Sequence, residues 1–331
     1  MEIHSIKRID DKFEIIDQTL LPDIEKYILI ESYKEMIEAI KHLRIRGAPA
    51  IGIAAISAAF LACQKNTPSI VPIDNKDFML SVITEIENSR PTAVNLFHGT
   101  KAVRKVLETD PAKWLQSISS LVDEQMKYEF EACEAMSQNG FDFIPKFINK
   151  FLTHCNTGSL ATYGAGTALG VIKKISQNRE IEVYVDETRP LLQGARLTMW
   201  ELKKSNINSF LLTDNMAAWT IKTKNIQAII TGADRIAKNG DTANKIGTFN
   251  LAILAKFFNI PFYIVAPEST IDSQINSGLE MIIEERESRE ISHFRGNAIA
   301  PENVQVFNPA FDITPAELIT AIITEKDIYE Y

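Results

Sequence analysis

The hydrophobic and polar positions of the chain follow three rhythms in succession. Residues 3–20 alternate between apolar and polar residues, and "IHSIKRI", the turn "DDK" and "FEIIDQTL" predict a β-hairpin. The period then lengthens to that of a helix in "SYKEMIEAIKHLR", "KDFMLSVITEIENSR", "NLFHGTKAVRKVL" and "PAKWLQSISSLVDEQMKYEFEACEAMSQNG", with Gly140 expected as a helix C-cap. After the first of these lies the longest apolar run, "GAPAIGIAAISAAFLAC", residues 47–63. It is short for a membrane span, rich in Gly and Ala, and carries an early Pro, so it reads as a buried helix. Past residue 147 apolar runs alternate with helical ones. The predicted strands are "KFLTHC" (150–155), "IEVYVDE" (181–187), "INSFLLTD" (207–214), "IQAIITGAD" (226–234), "PFYIVAP" (261–267) and "VQVFN" (304–308). Between them "SLATYGAGTALGVIKKIS", "LLQGARLTMWELKKS", "AAWTIKTK" and "TANKIGTFNLAILAKFFN" read as helices. Strands of near-continuous apolar character separated by helices predict a parallel sheet covered on both faces. The expected architecture is therefore α/β: a smaller, mainly helical N-terminal domain with a β-hairpin, residues 1–145, followed by a Rossmann-like domain, residues 146–331.

Composition narrows the function classes. A chain of 331 residues is too long for one ordinary core, which agrees with two domains. With 35 basic and 43 acidic residues the net charge is −8, which argues against a nucleic-acid surface and leaves room for a local anion pocket. "MEIHSIKRID" lacks the apolar core of a signal peptide. Cysteines at 63, 133 and 155 are odd in number and widely spaced, a pattern of neither a disulfide framework nor a zinc site. The expectation is a reduced, cytoplasmic protein with no membrane partner.

Chemistry-bearing residues concentrate where the predicted strands end. His154, Cys155 and Asn156 close the first strand, Asp186, Glu187, Thr188 and Arg189 the second, Asp214 and Asn215 the third, Asp234 and Arg235 the fourth. In open parallel sheets ligands bind beyond the carboxyl ends of the strands. Turns use Asp and Asn heavily, so each residue alone has a bland reading, but the set marks one edge. Cys155 is a packing hydrophobe in the ordinary case. Close ahead of a helix N-terminus, however, a thiol pKa falls below its usual value of about 8.5, and a thiolate base or nucleophile becomes available. His154 should face the other side of the strand, so Cys155 and His154 are not automatically a pair. Asp234 reads either as a cap or partner of Arg235, or as an acid. The second requires about 4 kcal/mol to hold its proton at pH 7, which an apolar pocket can supply.

Two cofactor readings are disfavoured. "GAGTALG", 164–170, has Leu169 where a dinucleotide fingerprint needs its third glycine, and it falls within the predicted helix. Single acids in "DET", "DNM" and "DRI" lack the D-x-D spacing of a phosphatase Mg²⁺ site, so no metal is expected. Anion binders are present: Arg46 before Gly47, Ala48 and Pro49, Arg90 in "NSRPTAVN", and Asn244 and Lys245 in "DTANKIGT", expected to enter a helix. Together with the strand ends they suggest a phosphorylated small molecule held between the two domains.

The segments "IRGAPAIG", "SRPTAVNLF", "LTHCNTGSLAT", "VYVDETRPLLQGARLTMWEL", "LLTDNMAA", "TGADRIAKNGDTANKIGTFNLAILAKFFNIPFYIVAP" and "NPAFDITPAELITAIITEK" closely resemble the methylthioribose-1-phosphate isomerase family, from residue 44 to 325. The resemblance implies Cys155 as catalytic thiol and Asp234 as proton donor. It further implies Arg46, Gly47, Ala48, Arg90, Gln193, Asn244 and Lys245 as substrate contacts, a homodimer, and no metal or nucleotide cofactor. One departure is His98 in "NLFHG", where an aromatic Trp is expected; it bears on substrate preference. The implied reaction is aldose to ketose, 5-methylthioribose 1-phosphate to 5-methylthioribulose 1-phosphate, in methionine salvage. Two rivals share the motifs: a sister isomerase acting on ribose 1,5-bisphosphate or 5-deoxyribose 1-phosphate, and the regulatory subunits of the translation-initiation nucleotide-exchange factor. The complete motifs around Cys155 and Asp234 favour an enzyme.

Overall fold

The computed structural model describes residues 3–64, 75–91 and 93–331. The chain forms two compact units, one of residues 1–134 with 158–166, the other of residues 135–157 with 167–331. In the first unit the expected hairpin, β1 (Ile6–Ile9) and β2 (Lys12–Ile16), gains a third antiparallel strand, β3 (Tyr27–Ile30). Helix α1 (Tyr33–Lys41) starts at a capping box in which Ser32 and Glu35 satisfy each other's backbone N–H groups. Helix α2 (Ala48–Cys63) is the apolar run of the sequence, buried at every position after Ala48. A helix apolar all round must be surrounded, and α1, α3 (Lys76–Ser89) and α4 (Val94–Val106) pack on it. Helix α5 (Trp114–Phe143) runs through Gly140, which is not the C-cap expected. A Cβ at Gly140 would lie 2.5 Å from Val171 Cγ2, so its glycine serves a close approach inside the helix.

The second unit is wound around a seven-stranded sheet. In chain order its elements begin with β4 (Lys150–Thr153), α6 (Ala168–Ser176), β5 (Glu182–Asp186), α7 (Met199–Lys204), β6 (Ser209–Leu212), α8 (Ala217–Lys224) and β7 (Ala228–Thr231). They continue with β8 (Arg235–Ala237), β9 (Thr242–Lys245), α9 (Thr248–Phe258), β10 (Phe262–Val265), β11 (Ile271–Asp272) and α10 (Arg289–Ser292). The hairpin β12 (His293–Phe294) and β13 (Asn297–Ala298) precedes β14 (Phe311–Thr314), β15 (Ala321–Ile323) and β16 (Ile328–Glu330). Across the large sheet the order is β16-β15-β10-β7-β4-β5-β6, all parallel except the edge strand β16. Numbering the six parallel strands along the chain, this reads 6-5-4-1-2-3, the doubly wound arrangement, with its switch point between β4 and β7. A smaller sheet, β11-β8-β9-β14, grows from the loop after β7. Among the described residues no helix is long and apolar enough to cross a membrane.

Three expected elements differ. "VQVFN" is not a strand: Val304 and Phe307 are exposed, and the sixth parallel strand is β15, whose three residues are fully buried. A strand covered on both faces needs continuous apolar character, which alternating "VQVFN" lacks. The helix expected over "TANKIGTFNLAILAKFFN" begins only at Thr248, because Asn244 and Lys245 pair in β9 with Asp312 and Phe311 of β14. The helix expected over "SLATYGAGTALGVIKKIS" begins at Ala168, so Gly164 and Gly166 precede the helix instead of lying within it, and Gly170 is inside it. Residues 158–166 join the first unit, where Leu160 and Ala161 carbonyls accept from Gln18 Nε2 (2.7 Å) and the Ala50 N–H (3.2 Å).

Candidate active site

Cys155 and Asp234 follow neighbouring strands of the second unit. β4 and β7 are paired through Phe151–Ala228 and Leu152–Ile229, so the two loops leave the sheet side by side at its switch point. The loops touch: a Cβ on Gly232 would lie 2.7 Å from Thr157 Cγ2. Cys155 is 8% exposed and its backbone is left-handed, φ +59°. That region disfavours side chains carrying a Cβ and persists only where neighbours impose it. Here the Cys155 N–H donates to Thr188 Oγ1 (2.8 Å), and the Cys155 carbonyl accepts from Thr198 Oγ1 (2.6 Å). Asn156 continues the clamp, donating to Thr198 Oγ1 and to Glu201 Oε1 (2.9 Å), while Lys173 neutralises Glu201 at 2.8 Å. The loop 158–166 stands between Cys155 and α6 in the chain, but Thr157 Oγ1 accepts from the Leu169 N–H in the first turn of α6. Asp234 is half-buried, and its N–H donates to the Ala243 carbonyl (2.9 Å) beside Asn244. Arg235 does not face it: its guanidinium holds Asp272 through Nε at 2.9 Å.

The second loop of the edge, after β5, is equally constrained. Thr188 (φ +65°) and Leu192 (φ +59°) are also left-handed. Asp214 fixes the loop by accepting the Thr188 N–H (2.8 Å) and the Arg189 N–H (2.7 Å) on its two oxygens. A Cβ on Gly194 would stand 1.7 Å from the Asp186 carbonyl oxygen, so only glycine lets residues 194–198 turn this tightly against β5. Gln193, just before that turn, is 6% exposed, and its Oε1 is a buried acceptor with no hydrogen-bond partner among the described residues. Such an acceptor is costly unless a ligand donor meets it. Asn244 is 4% exposed and donates to Thr248 Oγ1 (2.9 Å). Lys245 donates to the Ala310 carbonyl (3.0 Å) with its ammonium over the Phe311 ring.

In the first unit Arg46, Gly47 and Ala48 are contiguous at the start of α2. Arg46 Nε donates to Gln18 Oε1 (3.1 Å). Gly47 has φ +93° and meets Ala161 Cα at 2.5 Å from where a Cβ would be, and no side chain caps the helix. Arg90 is the half-buried C-cap of α3, and His98 is exposed on α4.

The residue the strand-end pattern underrated is His154. It is buried, with Nδ1 3.1 Å from Asp186 Oδ2 and Nε2 2.8 Å from the Ile246 carbonyl. Both ring nitrogens are thereby engaged away from Cys155, as strand geometry leads one to expect. Burial works against the imidazolium, but the hydrogen bond and charge of Asp186, with the charge of Asp214, raise His154 above its ordinary value. Burial raises the Asp186 carboxyl against the opposing pull of His154. His154, Asp186 and Asp214 are also the one group of metal-ligand types gathered this closely among the described residues. Both His154 nitrogens, Asp186 Oδ2 and both Asp214 oxygens already serve one another and the backbone, and we assign no ion to them. Asp312, in β14, accepts the Gly247 N–H (2.7 Å) and Phe249 N–H (3.1 Å) at the start of α9. Thr198, Glu201 and Asp312 carried no signal of their own in the sequence; each acts on a loop distant from it in the chain.

Residues 44–330 match the initiation factor 2 subunit family. A methylthioribose-1-phosphate isomerase of Thermotoga maritima is 48% identical over 96% of this chain and 92% of its own. The crystal structure of 5-methylthioribose 1-phosphate isomerase from Pyrococcus horikoshii superposes with a TM-score of 0.90 at 37% identity, covering 99% of this chain and 93% of that one. The crystal structure of translation initiation factor eIF-2B, subunit delta, from A. fulgidus superposes with a TM-score of 0.86 at 36% identity, over 99% and 96%. The chain belongs to the initiation factor 2 subunit family, and the curated relatives it matches along nearly its whole length are methylthioribose-1-phosphate isomerases.

Proposed function

We propose that this protein isomerises 5-methylthioribose 1-phosphate to 5-methylthioribulose 1-phosphate, the methionine-salvage step, with Asp234 as acid and Cys155 as base. The observation that carries this reading is the placement of both residues at the carboxyl ends of β4 and β7, on either side of the switch point where doubly wound sheets bind ligands. A sugar 1-phosphate has no free anomeric hydroxyl, so its ring opens only if the ring oxygen is protonated. Asp234 gives that oxygen its proton as the C1–O bond breaks. Thiolate Cys155 takes the C2 proton, forming an enol phosphate. Cys155 returns a proton to C1, Asp234 recovers one from the C2 hydroxyl, and both groups end as they began. The alternative is direct hydride transfer from C2 to C1. Turnover in deuterated water separates them: deuterium at C1 of the product supports the enol route, and none at all supports hydride transfer.

Arg46, Gly47, Ala48, Arg90, Asn244 and Lys245 are proposed to hold the phosphate and sugar, and Gln193 Oε1 to accept from a sugar hydroxyl, which would satisfy its buried oxygen. The protein is further proposed to be cytoplasmic and a homodimer. Exposed Phe210 and Leu211 on edge strand β6, and Trp219, Ile253 and Phe257 on the touching helices α8 and α9, favour a second copy as partner. Light scattering at micromolar concentration tests the dimer. Turnover of methylthioribose 1-phosphate against ribose 1,5-bisphosphate tests the substrate: a preference for the bisphosphate would move the protein to the sister activity, and no turnover of any sugar 1-phosphate would favour a role like that of the eIF-2B subunit.

A further inference from the structure

The hydrogen bonds of His154 imply a proton count. Its Nε2 lies 2.8 Å from a carbonyl oxygen, which can only accept, so Nε2 carries hydrogen. Its Nδ1 lies 3.1 Å from Asp186 Oδ2, and that contact also needs a hydrogen, on one atom or the other. A neutral imidazole brings one proton; the geometry requires two. The pair is therefore either imidazolium with carboxylate or neutral imidazole with carboxylic acid, and its net charge is zero in both. Asp186 Oδ1 points the same way: it is buried with no hydrogen-bond partner among the described residues, an expensive setting for a full carboxylate charge. Among the described residues, the charge that bears on both members of the pair from outside it is acidic, Asp214. Asp214 and Glu187 stand on the same edge, Asp312 lies close enough to feel His154, Arg189 faces Glu187 with its guanidinium donating to the Pro190 and Ile291 carbonyls, and Lys245 follows on β9 with its ammonium on the Ala310 carbonyl.

Asp186 and Cys155 are two hydrogen bonds apart. Thr188 Oγ1 donates to the Asp186 carbonyl (3.1 Å) and accepts the Cys155 N–H (2.8 Å), and His154 is the residue before Cys155. We propose that His154 and Asp186 are positioning residues that work as one neutral pair: the proton they share cancels a buried carboxylate charge beside Cys155 and so lets the sulfur carry the negative charge. His154 also ties the loop after β4 to Ile246, next to Lys245, which keeps the edge loops in register while the pair stays neutral. The proposal rests on Cys155 acting as the thiolate base. It adds a specific electrostatic dependence that a purely structural His–Asp contact would not have.

The test is the pH dependence of Cys155 alkylation by iodoacetamide, followed by mass spectrometry on the full-length protein. In His154→Gln the Asp186 carboxylate loses its shared proton, and alkylation at pH 7 slows about tenfold as the midpoint rises by about one pH unit. In Asp186→Asn the amide donates to Nδ1, Nε2 keeps its hydrogen on Ile246, the pair stays neutral, and the midpoint remains at the wild-type value. The double variant His154→Gln/Asp186→Asn returns to the wild-type midpoint. A midpoint unchanged in His154→Gln, or a double variant as slow as the single, overturns the proposal. If His154→Gln fails to fold, nitrogen NMR of the wild-type ring decides: hydrogen on Nε2 together with an Nδ1 that is protonated or accepting a hydrogen bond supports the pair, and a bare Nε2, or an Nδ1 with neither, overturns it. No substrate enters these measurements, so the two failures are distinguishable: no turnover of sugar phosphates sinks the isomerase reading, and an unshifted alkylation midpoint in His154→Gln sinks the coupling of the pair to the Cys155 sulfur.

Discussion

Cys63 and Cys155 are both buried thiols in surroundings built on opposite plans. Cys63 closes α2, a regular helix walled by hydrocarbon, and burial pushes its thiol up to about 11. Cys155 sits in irregular, left-handed backbone at the end of β4, where Thr188, Thr198 and Asn156 hold the loop through hydrogen bonds, and the neighbouring loop after β5 is left-handed at Thr188 and Leu192. Both sulfurs are out of bulk water, so burial is not what separates the two sites. The difference is the polar framework. In α2 the side chains exist to fill volume, whereas at the β4 edge the polar contacts fix the loop that holds Cys155.

Truncating both regions, and reading activity and stability separately, puts this contrast at risk. Cys155→Ser and Asp234→Asn should each lower turnover of methylthioribose 1-phosphate by roughly a thousandfold or more, while Cys63→Ala stays within about twofold of wild type. Comparable losses in Cys63→Ala would erase the distinction. Next in size are the effects on folding. Gly194→Ala drives a Cβ into the Asp186 carbonyl and should cost about 3 kcal/mol or more in urea denaturation, since the atom it meets is backbone and does not swing aside. Ile53→Ala, in the fully buried middle of α2, should cost about 2–5 kcal/mol and leave KM unchanged in the folded fraction.

A smaller effect is the alkaline limit. Burial raises Cys63 to about 11 and Cys133 to about 12, from 9.0. The folded state therefore keeps protons that the unfolded chain gives up. The contribution is fully present below pH 9 and is lost as pH rises through the folded values. Tm should fall over that window, and less steeply in Cys63→Ala/Cys133→Ala. The smallest expected effect is that of metal removal: dialysis against EDTA should leave turnover unchanged, because both His154 nitrogens, Asp186 Oδ2 and both Asp214 oxygens serve one another and the backbone.

Much of the fold was legible. The α2 run, the parallel strands up to Phe262–Val265 and the helices between them follow from local period and composition, because a strand covered on both faces and a helix covered all round each leave an unbroken apolar signature. The errors fell where pairing outweighed local preference. "TANK" became β9 because β14 was there to pair with it, and "VQVFN" lost its place in the sheet to "AII". The residues 158–166 looked like the start of a helix and instead return to the first unit.

That Cys155 and Asp234 stand where strands end could be read from the chain alone, since strand ends are marked by where apolar runs stop. Which strands are neighbours was beyond it: only the sheet order places β4 beside β7 and makes their ends one switch point. The partners that hold Cys155 in place and the proton count of His154 with Asp186 likewise depend on contacts between residues tens of positions apart. Hydrogen bonds are decided by distances of a few tenths of an ångström, and a one-dimensional pattern carries periodicity but no such distances.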